Sequence, residues 1–443
     1  MNRIQPSKEH PRFWEHGGEP VLLIGGSVED NLFQIPDLDA HLDSLVDAGG
    51  NYVRCTMSSR DEGNVWAYEE EDGLFDLDRF NPEFWRRFDA FLAATAERGV
   101  FVQIELWAYH DLYSSYGSWE AHPFNPRNNR NYDESNTTLE ARAFYAAGPE
   151  RNPFFFTVPA CNNDETVLPY QRAFVREVVS HASPYGHVLY CVTNELHEGD
   201  PPEWGWYWAR YVRELDAGAQ ITEMYQPPEF DHPLHAASFD HPDVFTFFEA
   251  SQNSARSGDK NWQQFLAIRR RTESPARPIN NVKIYGADTG PNWAGSDEDG
   301  IDRFWRALLA GCASARFHRP PAGLGLSTAA QAHIRSARTL VQAYDFFASA
   351  PDAGRVVTAD AEAYAASIPA TAVLLYLPRG GAARISTADL GRRLVVRWLE
   401  PDDAAWRAEQ RIDVPSSLEA ADASIRVEPP NTGRWVGIVR ARP

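Results

Sequence analysis

The sequence predicts a (β/α)8 TIM barrel over residues 1–350, followed by a small antiparallel β-sandwich over 351–443. Three observations carry this reading. Short apolar runs alternate with amphipathic helical segments from residue 20 to about 350. Polar residues collect at the C-terminal tips of those runs, which fits a closed ring better than a doubly wound sheet. From residue 355 the texture changes to short alternating strands separated by Gly-Gly and Pro turns, the pattern of a small sandwich.

The elements follow in order. A first strand is read at 20–26 and a helix at 38–48; a second strand at 51–57 and a clear amphipathic helix at 82–98. The third strand, 100–107, leads into a long connection over 108–165 rich in Asn, Tyr and Pro. Loops of that length inside a compact domain usually serve a function. Helical spacing of Phe174, Val175, Val178 and Val179, then a turn at Pro184 and Gly186, introduces the fourth strand at 188–193, which ends in Asn194-Glu195. A helix at 204–215 precedes a fifth strand at 219–225 and a sixth at 244–249. A helix at 261–272 precedes the seventh strand, 278–288. Phe304, Trp305, Leu308 and Leu309 mark a helix at 301–313 before the eighth strand at 314–319, and 331–347 closes the ring. Sandwich strands are read at 370–378, 393–398 and 433–439.

Composition narrows the partners. A net charge of −20 argues against nucleic acid and anionic membrane. No Gly-rich phosphate loop occurs, and Cys55, Cys161, Cys191 and Cys312 are too widely spaced for a paired metal motif. The expectation is no cofactor and no catalytic metal; the acidic run at 297–302 is read as a helix opening rather than a calcium loop. The N-terminus lacks the apolar run of a secretory signal and no stretch suits a bilayer, so a soluble, cytoplasmic protein is expected, with a homo-oligomer left open.

The chain is 12% aromatic, and many of these residues fall in loops, among them Trp66, Trp107, Tyr116, Trp119 and Trp293. Sugar rings present apolar C–H faces that stack on such rings, so a carbohydrate substrate is expected; simple filling of space between loops and barrel is the alternative. Glycosidic hydrolysis needs two carboxyl groups flanking one bond. Glu195 is the first candidate for the acid, with Glu249 or Asp288 as its partner from across the ring. Glu105 and Glu223 fall within strands, where a carboxylate also serves as a structural partner. Asn194, Arg54, Trp107, Glu105, Trp119, His122, Asn253, Lys283, Trp293, Arg316, His318 and Arg319 are the candidate substrate-binding residues. Lys283 with Arg316, His318 and Arg319 makes a cationic group that suits an acidic sugar, unless these cations pair with Glu223, Glu249 or Asp288.

Asn194-Glu195 on the fourth strand, Arg54 on the second and the sandwich after the barrel resemble the large clan of retaining (β/α)8 glycoside hydrolases. Within it, the chain is similar to bacterial enzymes carrying a C-terminal sandwich once described as collagen-binding. The resemblance implies Glu195 as acid/base, Asn194 on the sugar 2-hydroxyl and Arg54 in support of a nucleophile. It also implies a glutamate ending the seventh strand, where this sequence has Lys283. Glu249, Asp288 or an inverting reaction through water would replace it. The reading is an exo-acting glycosidase on oligosaccharides or polysaccharides. Its rivals are a polysaccharide lyase on uronic-acid glycans and a non-catalytic carbohydrate-binding barrel.

Overall fold

The computed structural model describes residues 2–114, 117–142, 152–407, 409–414 and 423–442, so Tyr116 lies outside the described residues. Eight parallel strands form the barrel: β1 (Leu23–Gly26), β2 (Tyr52–Thr56), β3 (Phe101–Trp107), β4 (Val188–Thr193), β5 (Ile221–Thr222), β6 (Phe248–Glu249), β7 (Ile279–Asn280) and β8 (Ser314–Phe317). One ladder runs β5-β4-β3-β2-β1-β8, and β6 pairs with β7. Backbone bonds from Thr246 N to Ile221 O (2.9 Å) and from Ala313 N to Ile279 O (2.7 Å) complete the ring.

The closing strands are shorter than the runs 219–225, 244–249 and 278–288 imply. Side-chain hydroxyls take over part of the ladder there. Ser251 Oγ accepts from the amides of both Val282 and Lys283 at 2.9 Å, and Ser314 Oγ accepts from Asn281 N at 2.9 Å. Buried backbone donors are thus satisfied without a continued strand.

The outer ring is α1 (Leu38–Asp47), α2 (Pro82–Glu97), α3 (Leu168–Ala182), α4 (Pro202–Leu215), α5 (Ala236–Phe239), α6 (Gly258–Arg271), α7 (Asp297–Leu309) and α8 (Thr328–Ala343). Ser296 and Asp299 form a capping box at the start of α7, so the acidic run there faces a helix N-terminus. Between β5 and β6 stand only a 3-10 turn (Pro233–His235) and one α-helical turn, α5. Two antiparallel pieces were not legible beforehand. A hairpin (Tyr68–Glu71 with Leu74–Phe80) is inserted after β2. A three-stranded piece (Gln5–Pro6, Trp14–His16, Glu19–Val21) covers the N-terminal ends of the barrel strands, with the Trp14 indole N–H donating to Asn280 Oδ1 at 2.9 Å.

The C-terminal region forms a seven-stranded and a three-stranded antiparallel sheet. Its central strand, Ala372–Leu377, is buried on both faces. Val373, Leu375 and Leu377 meet the three-stranded sheet, whereas Leu374 and Tyr376 join the barrel's own core, as the two-residue period of a strand requires. Tyr376 donates to Asp302 Oδ1 (2.5 Å) and its ring stacks on Trp305 of α7. Cys55, Cys191 and Cys312 are buried and free, acting as small apolar side chains. Among the described residues no helix is long and apolar enough to cross a membrane.

Candidate functional site

A cavity of about 610 Å³ opens at the C-terminal ends of the strands. Every strand or the loop after it contributes to the wall: Asp30, Arg54, His110, Asn194 with Glu195, Gln226, Gln252, Lys283 with Tyr285, and His318 with Arg319, in strand order. Arg60 lies in the wall as well, and Trp293 stands at the rim, 63% exposed.

Glu195 sits where β4 ends. Its Oε1 accepts from the Lys283 ammonium, from Gln252 Nε2 at 3.0 Å and from the Tyr285 hydroxyl at 3.3 Å. Lys283 also donates to Asn194 O at 3.0 Å, and Asn194 Oδ1 accepts from Tyr109 N at 2.6 Å. The lysine that replaces the expected seventh-strand glutamate is therefore bonded to the fourth-strand carboxylate. Burial works to raise the Glu195 pKa, but the Lys283 ammonium and its hydrogen bond, with that of Gln252, hold the carboxyl well below the usual range. Glu195 is an anion in this resting arrangement. Burial, with the Glu195 charge beside it, pushes the Tyr285 phenol well up.

The second cavity carboxylate is Asp30, on the loop after β1, a residue the sequence reading passed over. It is bonded to Arg54 Nη1 (2.5 Å), Arg319 Nε (3.0 Å) and Arg60 Nη2 (3.4 Å). Burial opposes its ionisation, yet the guanidiniums of Arg54, Arg319 and Arg60 together keep its pKa well below the ordinary value. Arg54 is 1% exposed and bridges Asp30 to Glu105 (2.6 Å), one layer down. His318 Nδ1 lies 3.7 Å from Asp30, and burial keeps its imidazole neutral. Burial likewise lowers His110 to about 4.

Of the expected site residues, Glu195, Asn194, Arg54, Lys283, Trp293, His318 and Arg319 converge on the cavity. The others do not. Glu249 lies beneath the floor, its carboxyl accepting from Ser251 Oγ (2.5 Å) and Gln103 Nε2 (3.1 Å) and raised to about 7 by burial. Asp288 is exposed outside the wall; its N–H donates to Asp297 Oδ1 at 2.8 Å and its own Oδ1 accepts from Asp297 N at 3.2 Å. Glu105 is fully buried under Arg54. Arg316 is buried as well, donating to Val282 O (2.8 Å) and Ser27 Oγ rather than pairing with Glu223, Glu249 or Asp288. Trp107 belongs to an aromatic core with Phe154, Phe174, Trp204 and Trp208. Trp119 is buried against His122, and its indole donates to Glu140 O. His122 itself is half-buried, its ring against those of Trp66 and Trp119. Asn253 is locked to Asn261 of α6 by two bonds of 2.9 Å. In each case an aromatic or amide that looks loop-exposed in sequence is consumed by packing.

Asp30, Arg60, His110, Gln226, Gln252 and Tyr285 went unread. Asp30 had a usable signal, being a carboxylate four residues past the Gly-Gly that ends β1. Tyr285 lies inside the run read as strand, where alternation gives no sign that its hydroxyl turns toward Glu195.

Solved structures share this architecture. A glycoside hydrolase family 5 protein from Bacteroides vulgatus ATCC 8482 superposes with a TM-score of 0.69 at 12% identity, over 99% of this chain and 92% of its own. Another glycoside hydrolase gives 0.67 at 11% identity, over 99% and 97%. The fold is theirs. The coverage takes in the C-terminal sheets as well as the barrel. No family model matches the chain, and no curated protein does.

Proposed function

We propose that this protein is a glycoside hydrolase that takes the end of a carbohydrate chain into the cavity above β4. The observation that carries the reading is the convergence of two carboxylates, Glu195 and Asp30, on one cavity at the C-terminal face of a glycoside-hydrolase-like barrel. A volume of about 610 Å³ is that of a small-molecule site, which suits a chain end. Glu195 transfers the proton to the leaving oxygen. Anionic at rest beside Lys283, it first takes that proton from the Lys283 ammonium; as the glycosidic bond breaks, water bonds to the anomeric carbon and its proton returns through Glu195 to the lysine amine. Asp30, held anionic by three guanidiniums, faces the positive charge that builds on the anomeric carbon. Asn194 and Gln226, both in the cavity wall, bond sugar hydroxyls, and Trp293 offers an apolar face at the rim.

A panel of aryl glycosides and short oligosaccharides tests this. Glu195→Gln is expected to lower kcat/KM by about 10³-fold, within the range for a lost acid–base group. Retention of full activity by that variant on any hydrolysed glycoside removes the assignment. A lyase acting on uronic-acid glycans is the second reading, favoured by the Tyr285 hydroxyl 3.3 Å from Glu195. Elimination leaves an unsaturated product absorbing in the near ultraviolet, and hydrolysis leaves none.

A further inference from the structure

We infer that the sugar bound in this cavity carries a carboxylate, gripped by the guanidiniums of Arg60 and Arg319. The inference deepens the carbohydrate reading above and rests on it. Within the wall, four cationic side chains (Arg54, Arg60, Lys283, Arg319) face only two carboxylates, Asp30 and Glu195. Two of those cations are already committed. Lys283 is bonded to Glu195 and Asn194 O, and Arg54, almost fully buried, is clamped between Asp30 and Glu105.

The other two are not saturated. Arg60 reaches Asp30, Asp111 and Ser58 Oγ, but each contact is 3.4 Å, long for a charge-assisted bond, which is normally about 2.7–2.9 Å. Arg319 spends Nη1 on Glu29 (2.6 Å) and Nε on Asp30 (3.0 Å), and among the described residues Nη2 has no bond. Both side chains are partly open, 14% for Arg60 and 24% for Arg319. Asp30 is thus one carboxylate shared by three guanidiniums, two of them exposed to the cavity. A second carboxylate, brought by the ligand, supplies the acceptors that Arg60 lacks at proper distance. The planar fork of a guanidinium matches a carboxylate bidentately, whereas a neutral hydroxyl offers one acceptor and no charge.

The experiment compares paired substrates on the full chain: aryl glucuronides and galacturonides against aryl glucosides and galactosides. The expected result is a kcat/KM preference of at least about tenfold for the uronides, the value of one charge-assisted hydrogen bond. Arg60→Met and Arg319→Met are each expected to lose at least about tenfold more on uronides than on neutral sugars, chiefly in KM. Calorimetric titration with free glucuronate and galacturonate, beside glucose and galactose, gives a readout independent of turnover. Better cleavage of the neutral series, or equal losses on both, overturns the inference and leaves the hydrolase reading standing. Uronate binding that Arg60→Met abolishes, without cleavage of any glycoside, upholds the inference and sinks the hydrolase. Absence of uronate binding and cleavage overturns the inference as well.

Discussion

Two groups of carboxylates sit one layer apart in this barrel and behave oppositely. In the floor, Glu223 and Glu249 have no cation bonded to them among the described residues; burial lifts Glu249 to about 7 and Glu223 well above the carboxylate range. At the cavity, Glu195 and Asp30 are bonded to Lys283 and to three arginines, and both are held below their ordinary values. Burial is the first cause in all four; the neighbouring cation decides the sign. Where the barrel carries charge at its mouth, a basic side chain from another strand has been placed against it. Where Arg54 does not reach a floor carboxyl as it reaches Glu105, backbone amides and neutral donors hold it, as Thr193 N and Met224 N do for Glu223 at 2.8 and 2.9 Å.

The sharpest way to break this comparison is at Asp30. Asp30→Asn leaves Arg54, Arg60 and Arg319 without their shared carboxylate. It is expected to abolish turnover and to cost about 3–5 kcal/mol of stability, the range for breaking a buried ion pair; denaturant titration and kinetics on one preparation check both. A loss under about 1 kcal/mol would mean that the cluster is solvated and that the contrast with the floor fails.

At Glu249 the expected effect is smaller and has the opposite dependence on pH. A folded-state pKa raised from 4.5 to about 7 means the neutral carboxyl is favoured by folding. Stability is then full below the unfolded value and falls as pH rises through 7, by up to about 3 kcal/mol. Glu249→Gln removes that slope. Melting curves between pH 4 and 9 that decline identically for both proteins would show that Glu249 does not titrate there.

At Lys283 the change is in a pH profile rather than in fold. Lys283→Met takes away the charge that opposes burial at Glu195, so the carboxyl pKa rises. The pH dependence of kcat/KM is expected to gain an ionisation, with activity falling as pH rises through it. A profile of unchanged shape at reduced height would take Lys283 out of the proton path.

The contrast also marks how far the sequence is legible. The barrel was readable because β1, β2, β3, β4 and β8 are apolar runs set between amphipathic helices, a periodic signal. Strands β5, β6 and β7 were overextended, because a run of apolar residues does not disclose that hydroxyls such as Ser251 finish the ladder. Glu195 was readable as a polar tip on an apolar strand. Glu249 looks the same in sequence, but Glu249 turns inward to Gln103 and Ser251. Asp30 lies in a loop with no period at all, so only the fold could bring it to Arg54. The aromatic residues misled most: Trp107, Trp119 and His122 are packed with Phe124 of the long connection after β3, on the edge of the barrel core.

The strand Ala372–Leu377 has two dry faces, one toward its companion sheet and one toward α7 of the barrel. A chain cut ahead of it would leave the ring of helices with an oily scar where Trp305 now lies against Tyr376. Recombination that swaps such barrels between proteins must therefore carry this appendage along.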